Sequence, residues 1–530
     1  MTIDATASII RSFKNFFLGT VFSRISGFFR DIALAFFFGA SPFIASFMVA
    51  FRFAYLFRRL FGETSFQNTF IPHYESLKIE DSKKASVFYR DLFFSLIAIL
   101  AIVIFFSEII LFVISKFVAE SLIINLTQIM LFGLFFICLY ALNSSFLQCH
   151  SSYFLASVAP VAFNVIWIVT IFLFRNMAGE RFVYVLSIGI VLAFLFQYLT
   201  TAFSSYKIIS NDLTSKEMLK PKLFSEDIKK LIKPIFLSII GIGAVQINSA
   251  LDALFGAWAQ KEGPAYLWYS IRLYQVPLAL FGIALSAAIL PPLVRAYKNE
   301  DLASFSKFLN IGLTRTFALM MPCTIGTLIL GPSVVNLIYT RGAFGLNDLI
   351  NTTYCLFGYI LGLSFSAFVM ILSQAYFAKK QYFIPMIASV FSVVLNVILN
   401  SVFIFIFDMK SISIAIATSV SSVFNFYLLW HFLRKPNESV FRKEHLLGFF
   451  KISITSVMAG LITILAGILV KDQSIMFLLS KDYFFPGNFM SKLGSFSFLG
   501  CTYFLSILSI AYAFKIQEIL DLIKRKRPNL

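Results

Sequence analysis

Residues 92–106 read LFFSLIAILAIVIFF, and Ser95 is the one polar side chain among them. Runs of this kind decide the fold class, because a helix needs about 20 mostly apolar residues to cross the hydrocarbon core of a bilayer. In lipid, only helices and closed barrels satisfy every backbone hydrogen-bonding group. The run is continuously apolar and does not alternate, so it predicts a transmembrane helix.

The whole 530-residue chain shares this character, with 59% hydrophobic residues, 13% charged residues and a mean hydropathy of +0.85. A soluble globular chain is about 45–50% apolar and about 25% charged. The composition therefore excludes a string of soluble domains. The five cysteines are scattered without a CxxC pair, which argues against zinc, redox-dithiol and haem-attachment sites.

Fourteen apolar segments are long enough to cross a membrane, so we predict an all-α polytopic membrane protein. The first apolar run continues past the length of a signal-peptide core, and we expect no cleaved signal. The predicted spans are 12–38, 43–71, 91–115, 121–147, 153–174, 182–206, 234–259, 266–290, 308–339, 349–377, 383–407, 411–433, 446–470 and 493–514.

The chain carries 44 Lys and Arg against 26 Asp and Glu, and their distribution predicts its orientation. With the N-terminus in the cytoplasm, 28 of the basic residues fall in inside segments and nine in outside loops, which fits the positive-inside rule. We therefore expect both termini in the cytoplasm. Such basic segments contact membrane lipids, and we expect no nucleic-acid partner. The nine outside residues are Lys116, Arg175, Arg181, Lys261, Arg341, Lys410, Lys471, Lys481 and Lys492.

The remaining seven basic residues fall inside predicted spans, and all are arginines. An arginine at the bilayer centre costs about 2.5–3.5 kcal/mol on insertion scales, so such residues usually face a bundle interior or a hydrated cavity. Arg315 is placed to reach the headgroups by snorkelling, an interpretation that also applies to Arg58 and Arg59. The seven are Arg24, Arg30, Arg52, Arg58, Arg59, Arg272 and Arg315.

Asp31 and Glu63 are the acidic residues nearest to this cluster, and they can neutralise only part of it. A group of incompletely compensated guanidinium ions should attract anions. The planar arginine fork suits phosphate or pyrophosphate oxygens. The arrangement therefore predicts an anion site, with a purely structural charge network as the alternative.

An internal repeat at an offset of 220 residues divides the chain. Arg52 maps onto Arg272, residues 60–62 onto 280–282, Pro72 onto Pro292 and Lys78 onto Lys298. Duplicated bundles are a recurring plan in transporters. We predict two six-helix lobes related by a pseudo-twofold axis along the membrane normal, plus two C-terminal helices. The predicted divisions are 1–207, a basic cytoplasmic linker at 208–233, 234–433, and 434–530 with a basic tail.

Residues suited to catalysis are sparse. The four histidines lie at span ends without metal-type spacing, and no Walker loop or nucleophile elbow occurs. We therefore predict a transporter and no enzyme, with a membrane enzyme as the alternative of a different class.

The intramembrane arginines belong to longer motifs that resemble the MviN/MurJ family. The resemblance extends over nearly the whole chain in order. It rests on residues 23–31 (SRISGFFRD), 38–40 (FGA), 50–52 (AFR), 56–61 (LFRRLF), 70–72 (FIP), 246–248 (QIN), 269–273 (YSIRL) and 341–344 (RGAF).

This resemblance implies a lipid II flippase of the multidrug/oligosaccharidyl-lipid/polysaccharide exporter superfamily, with a central cavity between two lobes and a lipid-tail groove at the last two helices. Undecaprenyl-pyrophosphate-linked peptidoglycan precursor would move from the inner to the outer leaflet by alternating access. The implied pyrophosphate-binding residues are Arg24, Arg30, Arg52 and Arg272, and the implied counter-ion or gating residues are Asp31, Glu63, Arg58 and Arg59.

Some positions depart from the family pattern. The family commonly has carboxylates at the positions of Ala45 and Ile271, which the resemblance associates with gating and ion coupling, and Leu-Pro-Asn at residues 53–55. Some members resemble sodium-coupled transporters. The oxygen-bearing candidates for such a site are Asp252, Asn396, Asn400 and Thr418, with interhelical hydrogen bonding as the alternative.

We therefore expect a monomeric flippase in the bacterial cytoplasmic membrane that is involved in peptidoglycan biosynthesis and cell shape. The expected partners are lipid II or a related glycolipid, membrane lipids and cell-wall synthesis proteins. We expect no cofactor, and the energy source is sodium, a proton or the membrane potential. The alternative transporter is another lipid-linked oligosaccharide exporter of the same superfamily.

Overall fold

The computed structural model describes residues 2–61, 63–117, 122–177, 179–433, 443–479 and 487–523. Within these ranges every regular element is a helix and no β-strand occurs, which confirms the predicted all-α class. The chain divides into two compact units, Met1–Leu254 and Phe255–Leu530. The predicted lobe boundary at 233/234 precedes this division and stays a prediction.

The first unit is built from long helices joined by short connections. Its elements are α1 (Thr2–Phe38), α2 (Pro42–Phe61), α3 (Glu63–Glu80), α4 (Ser82–Ser115), α5 (Leu122–Cys149), α6 (Tyr153–Val158), α7 (Pro160–Leu173), α8 (Gly179–Asp212), α9 (Ser215–Met218) and most of α10 (Glu226–Ala259).

The second unit begins in the last turn of α10. Its further elements are α11 (Gly263–Pro277), a π-helical segment (Leu278–Ile283), α12 (Ala284–Lys298), α13 (Leu302–Ile338), α14 (Leu346–Ile360), α15 (Leu363–Ala378), α16 (Phe383–Phe405), α17 (Ile412–Leu433), α18 (Lys443–Leu469), α19 (Gln473–Leu479), α20 (Phe489–Ala513) and α21 (Gln517–Ile523).

Each predicted span overlaps one helix or a run of consecutive helices. By length and composition, ten helices or continuous helical runs in the described residues are suited to cross a membrane. The pair α14–α15, which bends by 40°, raises this to eleven if it forms one span. Helix α1, the pair α2–α3 and helix α10 are not among them, so the count of fourteen stays a prediction.

Polar and special residues set several helix ends. Asp81 caps α4 by accepting the N–H of Lys83, and Asp301 caps α13 by accepting the N–H of Ser304 at 2.9 Å. Side-chain acceptors at this position satisfy N–H groups that have no partner within the helix. Gly39, with φ 58°, ends α1 in the left-handed conformation that glycine adopts without strain.

A buried Arg-Asp pair on α4 holds the segment that follows α8. Arg90 donates from Nε and Nη2 to Asp91 Oδ1 and from Nη1 to the carbonyl of Glu217. Asp91 also accepts the N–H of Lys222 at 2.9 Å. Sequence alone assigns Arg90 to a cytoplasmic segment, whereas both members of the pair are buried. The predicted linker is therefore docked on α4 over part of its length.

The side chain of Glu217 adds a second attachment of the same segment. Its carboxylate pairs with Lys83 Nζ at 2.6 Å and accepts the backbone N–H of Thr214 at 2.9 Å. The ammonium of Lys83 and these bonds to Thr214 lower the pKa of Glu217 to about 2. The carboxylate is therefore ionised at neutral pH, and the contact with α4 is charged.

In the second unit, α17 lies close to two glycines, Gly358 in α14 and Gly362 between α14 and α15. A Cβ on Gly358 would lie 2.7 Å from the Cβ of Ala415, and one on Gly362 would lie 2.8 Å from the Cα of Ser419. Ser419 Oγ donates to the carbonyls of Gly358 and Tyr359 at 2.6 and 3.0 Å. Small residues permit such approaches between membrane helices, where the gain comes from packing and interhelical hydrogen bonds.

The last long helices, α18 and α20, pack on α13 within the second unit. Gly460 on α18 faces Ile329, and Gly326 on α13 faces the ring of Tyr503. Tyr503 Oη donates to the carbonyl of Pro322 at 2.8 Å. The C-terminal helices are therefore part of one buried cluster with α13.

The repeated positions occupy equivalent places in the two units. Helix α2 ends at Phe61 and α3 begins at Glu63, while the matching residues 280–282 lie in the π-helical segment between α11 and α12. Pro72 lies within α3 and Pro292 within α12, and Lys78 and Lys298 both lie in a last turn. The repeated residues therefore lie on corresponding elements of the two units.

The glycine contacts of α14 and α17 give a stability prediction. We expect Gly358→Ala to lower the free energy of unfolding by about 1–3 kcal/mol, because the added methyl group overpacks a filled contact. Thermal unfolding of the purified protein in detergent measures this. Gly500→Ala on α20 is the matched control, since nothing lies within 4 Å of its added Cβ. Equal thermal stability of the two variants would contradict the packing argument.

Candidate functional site

Arg30 and Asp31 form a buried ion pair on α1. Arg30 donates to Asp31 Oδ1 from Nε at 3.0 Å and from Nη2 at 2.7 Å. The two residues are 7% and 3% exposed. Asp31 is therefore in direct contact with one arginine of the predicted cluster, and its role as a counter-ion stays a prediction.

Helix α7 supplies the rest of the Arg30 environment. Asn164 Oδ1 accepts from Arg30 Nη1 at 3.0 Å, and the guanidinium carbon lies 4.4 Å from the centre of the Trp167 ring. Asn164 Nδ2 in turn donates to the carbonyl of Ser23 and to Ser26 Oγ. An arginine held by a carboxylate, an amide and an aromatic face is positioned and neutralised locally.

Arg24 lies on the same helix but in a different environment. The offset of six residues from Arg24 to Arg30 rotates the side chain by about 120° around the helix, since each residue turns about 100°. Arg24 is exposed on the first unit and forms no ion pair with a described residue. Its charge therefore lacks the local carboxylate that Arg30 has.

Arg52 on α2 is half-buried, and its Nη1 donates to the carbonyl of Ser249 on α10 at 3.0 Å. A carbonyl oxygen orients the guanidinium while leaving its net charge in place. The contact joins the second and tenth helices of the first unit and fixes where this arginine lies.

Arg272, the counterpart of Arg52 in the repeat, lies on α11 of the second unit. Its guanidinium carbon is 4.2 Å from the centre of the Trp268 ring, one helical turn earlier. A cation–π contact attracts a guanidinium without neutralising it. The π-helical segment begins six residues later, at Leu278, and such segments occur frequently at functional sites.

The remaining predicted counter-ion or gating residues lie near the junction of α2 and α3. The side chains of Arg58, Arg59 and Glu63 lie outside the described residues. Arg315 on α13 is exposed, as expected for a residue that reaches toward the headgroups.

The candidate sodium ligands fall in both units. Within the second unit, Asn400 Nδ2 donates to Asn396 Oδ1 at 2.8 Å, and Asn396 Nδ2 donates to Thr418 Oγ1 at 3.4 Å. These hydrogen bonds join α16 to α17. They are of the kind expected if the residues stabilise helix packing and do not bind sodium. Asp252 belongs to the first unit, where Asn248 Nδ2 donates to its Oδ2 at 3.1 Å.

All four candidates offer oxygen atoms, the donor type that hard cations prefer. No cluster of three or more His, Cys, Asp or Glu side chains suited to a metal ion occurs among the described residues. The donor set therefore fits a weakly held alkali cation better than a transition metal.

Sequence reasoning missed two partners of Arg30, Asn164 and Trp167, because they are more than 130 residues away in the chain. It also missed the buried pair Arg90–Asp91. A signal for that pair was present, since the dipeptide Arg-Asp occurs at residues 30–31 and again at 90–91. In both cases the guanidinium Nε and Nη2 donate to one carboxylate oxygen of the next residue.

The arginines therefore divide into two chemical groups. Arg30 and Arg90 are buried beside a carboxylate and stabilise the first unit. Arg24, Arg52 and Arg272 lie on three helices; Arg24 is exposed, Arg52 donates to a carbonyl oxygen and Arg272 lies over an aromatic ring.

Known proteins are similar to this chain in sequence and in fold. A probable lipid II flippase MurJ of Chlamydia trachomatis serovar D is 30% identical over 536 residues, which cover 99% of this chain and 97% of the relative. A solved structure described as lipid II flippase MurJ in an inward closed conformation is 24% identical. It superposes with a TM-score of 0.74 over 96% of this chain and 99% of its own.

A more distant structure shares the fold. An inward-facing multidrug resistance MATE family transporter of the MOP superfamily is 14% identical, with a TM-score of 0.62 over 78% of this chain and 94% of its own. The family model described as lipid II flippase MurJ matches residues 34–484. The chain therefore belongs to the lipid II flippase MurJ family.

Proposed function

We propose that this chain, a multi-pass protein of the bacterial inner membrane and a lipid II flippase by family, carries its substrate from the inner to the outer leaflet by alternating access. One observation carries the proposal. Arg52 and Arg272 occupy equivalent repeat positions, each ten residues before the glycine of the repeated Leu-Phe-Gly motif. Each unit thus supplies one such guanidinium.

The pyrophosphate of the substrate is the anion that these arginines suit. Planar guanidinium groups bind phosphate oxygens in pairs, which gives orientation as well as charge. We assign Arg24, Arg52 and Arg272 to direct contact with the pyrophosphate, and Arg30 to positioning α1 against α7. The bound anion shifts the protein between its inward and outward states only by binding one of them more strongly.

The orientation is part of the proposal. The excess of basic residues in the predicted inside segments, 28 against nine, supports cytoplasmic termini. A flippase moves lipid without changing its covalent structure, so the site needs no acid or base for catalysis. We propose that the protein acts as a monomer and receives its substrate from the cell-wall synthesis proteins on the cytoplasmic side.

The assignment of three arginines gives a direct test. We expect Arg24→Ala, Arg52→Ala and Arg272→Ala each to abolish complementation in cells depleted of this protein and to leave lipid II in the inner leaflet. A leaflet-specific labelling assay measures the latter. Arg315→Ala is the matched control, since it removes an exposed arginine from another helix. Full complementation by all three variants, with normal membrane insertion, would refute the site.

The buried pair on α1 allows a structural role to be separated from a substrate role. We expect Asp31→Asn to lower the free energy of unfolding by about 3–5 kcal/mol, because it leaves a buried guanidinium without its carboxylate. Replacing the pair by apolar residues, as in Arg30→Met with Asp31→Leu, should restore thermal stability in detergent. If Arg30 only positions α1, the double variant should also restore lipid II exposure. A stable double variant that does not translocate would show that Arg30 binds substrate.

We also propose that a sodium ion couples transport, with Asp252, Asn396, Asn400 and Thr418 as its ligands. The oxygen-only donor set supports this. In proteoliposomes, we expect replacement of sodium by potassium to slow translocation at least about tenfold in the unmodified protein. Asn400→Leu should be equally slow in both salts, while Ser401→Ala, the neighbour on α16, should keep the sodium dependence. Equal rates of the unmodified protein in sodium and potassium would exclude the ion.

A further inference from the structure

A polar cavity of about 370 Å³ lies in the second unit, between α13, the connection from α18 to α19, and the start of α20. The predicted topology places this cavity on the outer side of the membrane. Its lining is rich in hydroxyl, amide and ammonium groups, unlike the apolar surfaces of the surrounding helices. The lining residues that matter here are Ser333, Asn336, Val470, Lys471, Asp472 and Lys492.

Two lining side chains on α13 are buried without a hydrogen-bond partner in the described part of the chain. Ser333 Oγ and Asn336 Oδ1 have none, and the residues are 3% and 4% exposed. Buried polar atoms are normally satisfied, because leaving one unpaired costs free energy. One hydroxyl that can donate and one amide oxygen that can only accept thus line the same cavity.

The charge of the cavity is positive. The carboxylate of Asp472 is already engaged, with Oδ1 accepting the N–H of Ser474 at 2.9 Å and Oδ2 accepting from Ser495 Oγ at 2.6 Å. Neither Lys471 nor Lys492 forms an ion pair with a described residue. Lys492 Nζ donates to the carbonyl of Thr340 at 2.7 Å, which keeps its ammonium at the site.

This concentration of charge is unexpected on the outer side. The positive-inside rule disfavours basic residues there. Lys471 and Lys492 are nevertheless two of the nine predicted outside basic residues, and Arg341, next to Thr340, is a third. The orientation of the protein in the membrane does not explain why these basic residues lie close together, whereas the binding of an anionic ligand does.

An apolar stripe leads from the cavity along α18. Leu461, Leu465 and Leu469 follow one another at four-residue steps and are 56%, 60% and 84% exposed. Val470, the next residue, lines the cavity and is 57% exposed. Residues four apart share a helix face. A ligand seated in the cavity can therefore extend an apolar tail along α18 into lipid.

We propose that this cavity binds the headgroup of a membrane lipid that carries both a phosphate and free hydroxyl groups. The phosphate accepts from Lys471, Lys492 and the hydroxyl of Ser333, and a headgroup hydroxyl donates to Asn336 Oδ1. Phosphatidylglycerol has this chemistry, and so does a polyprenyl-linked sugar phosphate. The inference does not rest on translocation by this chain.

The test uses the full-length protein in nanodiscs of equal phosphatidylglycerol and phosphatidylcholine, followed by detergent extraction and native mass spectrometry. We expect the unmodified protein to retain phosphatidylglycerol in preference to phosphatidylcholine. The double variant Lys471→Asn with Lys492→Gln should retain about tenfold less, because it loses two charge-assisted hydrogen bonds. Asparagine suits position 471, where φ is 51°.

Lys410→Gln is the matched control, since it removes an exposed outside lysine from the connection between α16 and α17. Equal retention in the double variant and the unmodified protein would overturn the proposal, as would an equal loss in Lys410→Gln. Asn336→Asp is a second, nearly isosteric variant that places a negative charge in the cavity. It should also lose phosphatidylglycerol, and retention by a folded Asn336→Asp would equally overturn the site.

Competition identifies the occupant. An undecaprenyl pyrophosphate that carries a sugar with free hydroxyl groups is added at increasing concentration to nanodiscs that contain phosphatidylglycerol. Displacement of the retained phosphatidylglycerol from the unmodified protein, and not from the double variant, would identify the polyprenyl lipid as the occupant of the site. Full retention of phosphatidylglycerol would identify the phospholipid. An absence of preference between phosphatidylglycerol and phosphatidylcholine in the unmodified protein would remove the basis for either.

Discussion

The free-energy cost of holding a guanidinium away from water constrains much of this structure. An arginine within a membrane span must be paired, hydrated or bound to an anion. Arg30 and Arg90 meet this requirement inside the protein, each through the aspartate that follows it in sequence. Arg24 is exposed, Arg52 donates to a backbone carbonyl and Arg272 lies over the ring of Trp268, and these are the arginines that we assign to the substrate. The same requirement thus separates arginines that build the fold from those suited to function.

Local sequence determined most of what could be predicted of the fold. Apolar runs located the long helices, and the repeat matched α2–α3 with α11–α12 because both copies retain the same arginine, glycine and proline positions. The π-helical segment between α11 and α12 was not predictable in this way. Pro277 directly precedes it, but a proline alone is compatible with a kink, a break or a bulge.

The sequence predicted which residues belong to the candidate site, but it predicted few of the contacts around them. Charge placement identified the arginines, and the adjacent carboxylate of Asp31 was found because it is a neighbour in sequence. Asn164 and Trp167 complete the surroundings of Arg30 through tertiary packing of α7 on α1, which no pattern in α1 encodes. Arg90 lies at the edge of an apolar run, where sequence cannot distinguish an exposed charge from one covered by the segment after α8.

Basic residues on the two predicted sides of the membrane call for different explanations. On the predicted inner side they are numerous, and orientation accounts for them as a group. On the predicted outer side each one opposes that bias, so a local reason is needed. Lys471 and Lys492 lie in one cavity with two buried polar atoms that have no hydrogen-bond partner among the described residues, beside helices that pack on α13. A cluster of exceptions to a topological rule is stronger evidence for a ligand than the same residues would be on the inner face.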